Sequence, residues 1–269
     1  MSTRLEAALT RHRAVSLAAL VVLTLLAWGW LIAGAGMGMQ PLASMMPISG
    51  GDGHASGMAM DMPMPMPWPV ANYALTFSMW WTMMVAMMLP SAAPVILLYA
   101  RVATNAQAEV RPATGFFLAG YLVSWGGFSL VATLLQHLLE RTELLAPMVM
   151  ASQSRWLSAA ILVAAGIYQL SPLKDVCLRH CRSPAQFLSS HYRPGATGAM
   201  RMGLVHGTFC IGCCWPLMTL LFIGGVMNLI WIVLLTMMVA AEKLLPFGRY
   251  VSIATGAACI VWGAVLLIG

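Results

Sequence analysis

The sequence has very little charge. Asp, Glu, Lys and Arg make up only 8% of its 269 residues, whereas about 25% is usual in a soluble domain. Hydrophobic residues make up 60%, and the mean hydropathy is +0.82. This composition excludes an ordinary soluble domain. Several apolar runs approach the roughly 20 residues that span hydrocarbon, so we expect an all-α polytopic membrane helix bundle.

Two further absences narrow the function. The sequence shows no nucleotide-binding motif, and the segments between its apolar runs are too short for an ATPase domain. Any transport would therefore be passive or coupled to an ion. The formal net charge of +6 does not indicate nucleic-acid binding, because the basic residues lie between apolar runs, where they set orientation in the membrane.

The apolar runs predict seven transmembrane spans, of which the sixth contains Glu242 and Lys243. In chain order they cover residues 14–35, 74–102, 115–139, 156–170, 202–223, 229–245 and 250–268. With the N-terminus inside, only Arg141 and Arg155 of the 14 basic residues fall in outer segments. This bias predicts an N-in, C-out chain, and we expect it in the inner membrane of a bacterium.

Composition divides the chain into three parts. Residues 1–35 are expected to form an N-terminal tail and a first transmembrane helix, whose apolar run is too long for a signal peptide. Residues 36–73 are expected to form a flexible outer loop, because they are rich in Gly, Pro and Met and cannot bury a core. Residues 74–269 are expected to form a six-helix membrane core.

The outer loop has no Lys or Arg but carries nine methionines between Met37 and Met66. Ordinary linkers are made of Gly, Ser and charged residues. Thioethers select Cu(I) and similar soft ions. The loop therefore indicates metal capture, with compositional bias alone as the alternative.

The second span combines methionines with prolines. Methionines repeat at i and i+4 in two neighbouring rows, and this spacing places residues on one helix face; the rows include Met83, Met84, Met87 and Met88. Pro90 and Pro94 follow at once, and each removes a backbone hydrogen bond. Packing would explain any single methionine here. The cluster beside two prolines predicts a metal site or path.

Two short motifs hold five of the six cysteines. The first, CLRHC, puts Cys177 and Cys181 about one helical turn apart on the same face. Its arginines favour thiolate, and the predicted topology places the pair on the cytoplasmic side. The alternative interpretation is two small buried residues.

The second motif, HGTFCIGCCW, lies inside the fifth span. An imidazole inside a membrane span indicates function. A helix places the histidine and the three cysteines within an arc of roughly 100°, and these residues are His206, Cys210, Cys213 and Cys214. We expect His206 and Cys210 to point into the bundle.

Helix geometry places these donors at different depths. At 1.5 Å per residue, the methionines of the second span and the cysteines of the fifth reach the middle of a core about 30 Å thick. Met237 and Met238 fall at a similar depth on the sixth span. Soft ligands are thus expected outside, at mid-membrane and inside, which is the order that a relay for a soft cation needs.

Four stretches also carry a family resemblance. They are MWWTMMVAMMLPSAAPVILLY, GIYQLSPLKDVCLRHCRSP, GLVHGTFCIGCCWPLM and AEKLLP. These stretches resemble the DUF2182 family, predicted metal-binding integral membrane proteins of bacteria. The resemblance covers roughly residues 74–268 and implies metal binding, but no particular activity or substrate.

The favoured function is the binding, delivery or transport of a soft cation. Cu(I) is preferred because thiolates and thioethers select it, while zinc, the other candidate, more often uses Cys and His without Met. The expected partners are the lipid bilayer and a metal-receiving protein or enzyme. The expected ligands are His206, Cys210, Cys213, Cys214, Met83, Met84, Met87, Met88, Cys177 and Cys181.

Two other functions stay open. A membrane thiol–disulfide oxidoreductase would pass electrons between the Cys177/Cys181 and Cys210/Cys213 pairs. That function lacks an outer cysteine pair to receive the electrons and leaves the methionines without a purpose. In a purely structural subunit, the cysteines would only pack.

Overall fold

Helices form every regular element in the computed structural model, which describes residues 2–35, 69–105, 110–145 and 150–268. The predicted all-α class is confirmed. In chain order, the helices of these ranges are α1 (Ser2–Ile32), α2 (Val70–Asn105), α3 (Val110–Arg141), α4 (Arg155–Leu170), α5 (Pro172–Arg182), α6 (Pro184–His191), α7 (Gly195–Thr219), α8 (Leu221–Gly224), α9 (Leu229–Leu244) and α10 (Gly248–Ile268).

Within the described ranges, several helical segments are long and apolar enough to cross a membrane. The α4–α5 pair passes the same test but is bent by 65°, so it adds a sixth span if the pair crosses as one unit. These lengths confirm a polytopic membrane bundle. The five continuous segments are Ala14–Ile32, Val70–Val102, Ala113–Arg141, Gly195–Gly224 and Gly248–Ile268.

The structure thus supports five or six spans where seven were predicted. The difference lies in the predicted sixth span, which forms α9 with only 16 residues. At 1.5 Å per residue α9 is about 24 Å long, shorter than a hydrocarbon core of about 30 Å. The N-in, C-out orientation stays a prediction. Most of the predicted outer loop, residues 36–68, lies outside the described residues, and α2 begins at Val70.

Glycines let two helix pairs pack closely. Between α3 and α7, a Cβ atom added at Gly203 would overlap the carbonyl of Phe117. Between α4 and α10, Gly166 and Gly256 each approach the carbonyl of the other. Small residues are the usual means by which membrane helices reach such contact. The first pair fixes α7, which carries three of the cysteines, against α3.

Two helices of the core, α2 and α7, contain prolines within their length. The helix α2 runs through Pro90 and Pro94, and α7 runs through Pro216. Each helix therefore continues as one element past its prolines. In membrane proteins, neighbouring helices supply hydrogen-bond partners for the backbone carbonyls that such prolines leave unpaired.

Polar contacts fasten α5 to the corner between α9 and α10. Buried Lys174 places its Nζ 2.6 Å from Glu242 Oε2 and also donates to the side-chain oxygen of Gln169. Near the two ends of α5, Asp175 pairs with Arg249 at 2.7 Å, and Arg182 donates to the carbonyls of Leu245 and Pro246 at 2.8 and 2.7 Å. Together with the 65° bend before Pro172, these contacts direct α5 along the side of α7.

Candidate metal centre

The three cysteines of α7 lie inside the bundle. Cys210, Cys213 and Cys214 are each about 1% exposed, and His206 is 2% exposed. The prediction that His206 and Cys210 share an inward face is therefore confirmed. The thiols of Cys213 and Cys214 donate to the carbonyl oxygen of Cys210, at 3.1 and 2.8 Å. These bonds turn both sulfurs back toward the preceding turn of the helix.

The helix α5 adds a fourth thiol to this group. Cys181 Sγ lies 3.8 Å from Cys213 Sγ. Cys210 has the thiols of Cys181, Cys213 and Cys214 as close neighbours. We call Cys181, Cys210, Cys213 and Cys214 the thiol cluster. All six cysteines of the chain are free.

This arrangement differs from the predicted order of ligands. Cys177 and Cys181 were expected to form a separate group of ligands on the inner side, beyond the cysteines of the fifth span. Instead, Cys177 lies opposite Gly212, where an added Cβ would come within 2.8 Å of the Cys177 sulfur. The bend before α5 causes the difference, because it folds the CLRHC segment back along α7.

One methionine of α2 reaches the thiol cluster. Met88 Sδ accepts from Cys214 Sγ at 3.7 Å. The other predicted methionines, Met83, Met84 and Met87, are fully buried in the same core. On α9, Met237 is 66% exposed, so its side chain points away from the thiol cluster, and its depth in the membrane stays a prediction.

The sulfur separations suit a soft metal ion. With a metal–sulfur distance of about 2.3 Å, two sulfurs stand about 3.8 Å apart in tetrahedral and about 4.6 Å apart in linear coordination. The Cys181–Cys213 distance of 3.8 Å equals the tetrahedral value, and the Cys214–Met88 distance of 3.7 Å lies just below it. Among the described residues, no three His, Cys, Asp or Glu side chains are already grouped to hold an ion. A metal site made of two thiols, or of one thiol and one thioether, has fewer than three such side chains.

A lysine ammonium group stands in contact with the thiol cluster. Lys243 Nζ lies 3.0 Å from Cys210 Sγ, 3.4 Å from Ser91 Oγ and 3.7 Å from Met88 Sδ. Lys243 is only 6% exposed, and no ion pair in the described part of the chain includes it. A buried ammonium needs a compensating negative charge. The adjacent sulfur is the group that can supply it as thiolate.

A tyrosine joins the cluster from α3. The Tyr121 hydroxyl lies 3.2 Å from Cys210 Sγ and 3.2 Å from the carbonyl oxygen of Met88. It is fully buried. Tyr121 thus ties α2, α3 and α7 together at the level of the sulfurs.

His206 lies in an aromatic pocket beside the cluster. Its ring centroid is 5.8 Å from that of Tyr121 and 5.1 Å from that of Phe187. Its buried Nδ1 has no hydrogen-bond partner among the residues that the structure describes. An unpaired buried nitrogen is costly, and a neutral imidazole nitrogen is a common metal ligand.

Sequence reasoning did not assign Tyr121 and Lys243, which contact the cluster, or Ser91, which contacts Lys243. Only Lys243 gave a signal, because a charge inside a span indicates function. The sequence suggested Glu242 and Lys243 as a neighbour pair facing protein or water. Both are buried in protein, but Glu242 pairs with Lys174 while Lys243 turns to the thiols.

Comparison with known proteins gives one match. A family model described as "PpoB2: Copper chaperone" matches residues 77–266, more than half of the chain, and this range includes every residue of the thiol cluster and its neighbours. No curated protein and no solved structure matches the chain. The match supports the copper-related expectation drawn from the sequence, under a family name other than DUF2182.

Proposed function

This chain belongs to the PpoB2 copper chaperone family, and from that premise we propose that it binds Cu(I) inside the membrane and passes it to a recipient protein. The observation that carries the proposal is the meeting of four thiols and the Met88 thioether from three separate helices, with Cys181 half-buried and the other sulfurs buried. Thiolates and thioethers are the ligands that favour Cu(I).

We propose the thiol cluster with Met88 as the main binding site. Cys181 and Cys213 offer one pair of sulfurs, and Cys214 and Met88 offer another. A thioether is an unusual ligand for zinc, which supports copper over zinc as the ion. His206, Cys177 and the buried methionines Met83, Met84 and Met87 are proposed as further donors on the way to or from this site.

Charge balance supports a monovalent ion in this place. Two thiolates around Cu(I) carry a net charge of −1. The Lys243 ammonium, 3.0 Å from Cys210 Sγ, brings that sum to zero within the protein interior. Buried charge is tolerated only when it is compensated. A divalent ion with the same two thiolates would be neutral and would leave Lys243 without a counter-charge.

The proposed setting is the inner membrane of a bacterium. The distribution of basic residues between the seven predicted spans favours an N-in, C-out chain. The methionine-rich loop at residues 36–73 would then face outward and collect Cu(I) for the buried sulfurs. The recipient would be a copper-requiring protein that docks on the membrane chaperone.

Metal analysis of the purified protein tests this function. The full chain is purified in detergent under reducing, anaerobic conditions, and Cu, Zn and Fe are measured together after loading with Cu(I). We expect sulfur-bound copper in the parent and its loss in the variant Cys181→Ser/Cys213→Ser. Cys259→Ser is the matched control, because Cys259 is a buried free thiol on α10 beside Glu242 and Lys174. Sulfur-bound copper retained in the double variant, as detected by X-ray absorption, would contradict the proposal.

The close approach of two thiols also favours a second candidate, thiol–disulfide exchange. Cys181 Sγ and Cys213 Sγ are 3.8 Å apart, and a small movement would bring them to the bonding distance of about 2.05 Å. The pair would be oxidised to one disulfide while a disulfide of a partner protein is reduced to two thiols. Met88→Leu separates the two functions, because it removes a copper ligand but leaves disulfide exchange intact.

A further inference from the structure

Two histidines outside the thiol cluster face one another across α5 and α6. The ring centroids of His180 and His191 are 6.4 Å apart, with their planes inclined by 71°. His180 stacks on Phe209 of α7 at 4.0 Å, and His191 stacks on Phe187 at 4.9 Å. Both imidazoles are therefore held in place by aromatic rings.

Hydrogen bonds fix which nitrogen of each ring is free. His180 Nδ1 lies 2.8 Å from the carbonyl oxygen of Val176, and a carbonyl can only accept, so Nδ1 donates. His191 Nδ1 lies 3.2 Å from the carbonyl of Phe187 and 2.8 Å from Ser190 Oγ. In each neutral ring the Nε2 atom then carries the lone pair. This is the arrangement of metal-binding histidines, whose other ring N–H is held by a backbone carbonyl.

Both rings line one cavity of about 390 Å³. Its other walls include Gln186, Ser190 and Arg179, which are exposed. The cavity therefore connects the two histidines with the surface of the protein. Arg179 adds a positive charge, which favours an ion that arrives with negatively charged ligands over a bare hydrated cation.

The same two helices connect this cavity with the buried sulfurs. His180 is followed directly by Cys181, whose sulfur is 3.8 Å from that of Cys213. Phe187 stands between the imidazoles of His191 and His206, with centroid distances of 4.9 and 5.1 Å. The two outer imidazoles are thus joined to the thiol cluster through the His180–Cys181 backbone and through the Phe187 ring.

We infer that His180 and His191 form a second metal site, a surface imidazole pair through which Cu(I) enters or leaves the thiol cluster. The inference rests on the proposed copper function. Transfer is a ligand exchange without a redox change: copper–nitrogen bonds break, copper–sulfur bonds to Cys181 and Cys213 form, the two thiol protons pass to water in the cavity, and copper stays Cu(I). Imidazole and thiolate are both established ligands of copper.

The test compares Cu(I) binding by the full-length parent with that of His180→Phe/His191→Phe. Phenylalanine keeps the ring stacking on Phe209 and Phe187 but removes the nitrogens. The protein in detergent is titrated with Cu(I) against a chromophoric chelator, and X-ray absorption reports its nitrogen and sulfur ligands. We expect the double variant to bind one Cu(I) fewer per chain, to lose imidazole scattering and to keep its sulfur-bound copper. Its thiol cluster should also load more slowly.

Gln186→Leu serves as the control, since Gln186 lines the same cavity without an imidazole. The inference is overturned if the double variant matches this control in copper number, nitrogen scattering and loading rate. Single variants His180→Gln and His191→Gln, measured in the same way, decide the matter if the double variant does not fold. Failure of the copper function itself has a different signature: Cys181→Ser/Cys213→Ser would keep its sulfur-bound copper, or the parent would bind none.

Discussion

Lys243 has an unusual environment for a lysine. Its buried ammonium contacts a cysteine sulfur, 3.0 Å from Cys210 Sγ, and in the proposed site it would compensate the charge that two thiolates leave on Cu(I). We expect Lys243→Leu to weaken Cu(I) binding at least about tenfold, or about 1.4 kcal/mol, because the buried negative charge is then uncompensated. Lys243→Arg keeps the charge and should restore part of the affinity.

Chelator competition on the purified variants measures this effect. Lys243→Leu also removes a buried charge, so its folding is checked by size exclusion and thermal denaturation before titration. If Lys243→Leu and the parent bind Cu(I) equally tightly, the ammonium has no role in holding the metal.

Met88 can be tested with less effect on folding, because leucine has nearly the same volume as methionine. A swap of Met for Leu conserves volume and costs less than about 1.5 kcal/mol in most cores, but it removes the thioether that lies 3.7 Å from Cys214 Sγ. We expect Met88→Leu to lower Cu(I) affinity. Met79→Leu is the control, since Met79 is equally buried on the same helix. Equal affinities in the two variants would remove Met88 from the ligand set.

At the scale of the element, the contact between α3 and α7 sets the position of the thiols. An added methyl group at Gly203 would overlap the Phe117 carbonyl, whereas one at Gly127 of α3 would meet nothing within 4 Å. We expect Gly203→Ala to destabilise the fold by about 1–3 kcal/mol and to lower copper binding with it. Gly127→Ala should be neutral or slightly stabilising. Thermal denaturation in detergent compares them, and equal midpoints would contradict the packing described here.

The elements also show what the sequence could and could not predict. The long spans and the inward face of His206 and Cys210 followed from apolar length and helical periodicity, which are local properties. The return of α5 beside α7 did not, because it depends on a bend at one Ser–Pro step and on the distant Glu242. Loop charges assign sides of a membrane but contain no information on such a return. The partners of Lys243 were missed for the same reason.

At the scale of the whole molecule, we expect copper collection by the methionine-rich loop to depend on how many thioethers the loop carries. We expect the replacement of Met58, Met60, Met62, Met64 and Met66 by leucine to leave folding and the thiol cluster unchanged, because bulk and apolarity are kept. Cells with this variant should need more external copper to reach the same activity of the recipient enzyme. A variant with any one methionine replaced is the control. Parent-like behaviour across limiting copper concentrations would show that the loop does not collect metal.

The fastening of α5 has a mechanical consequence. This helix is tied through Lys174, Asp175 and Arg182 to the corner between α9 and α10, while its Cys181 rests against Cys213 of α7. The helix α5 therefore links the position of the Cys181–Cys213 pair to the position of the corner between α9 and α10. Under the proposed function, a partner that tilts this corner would move Cys181 away from Cys213, so that docking would be coupled to metal release.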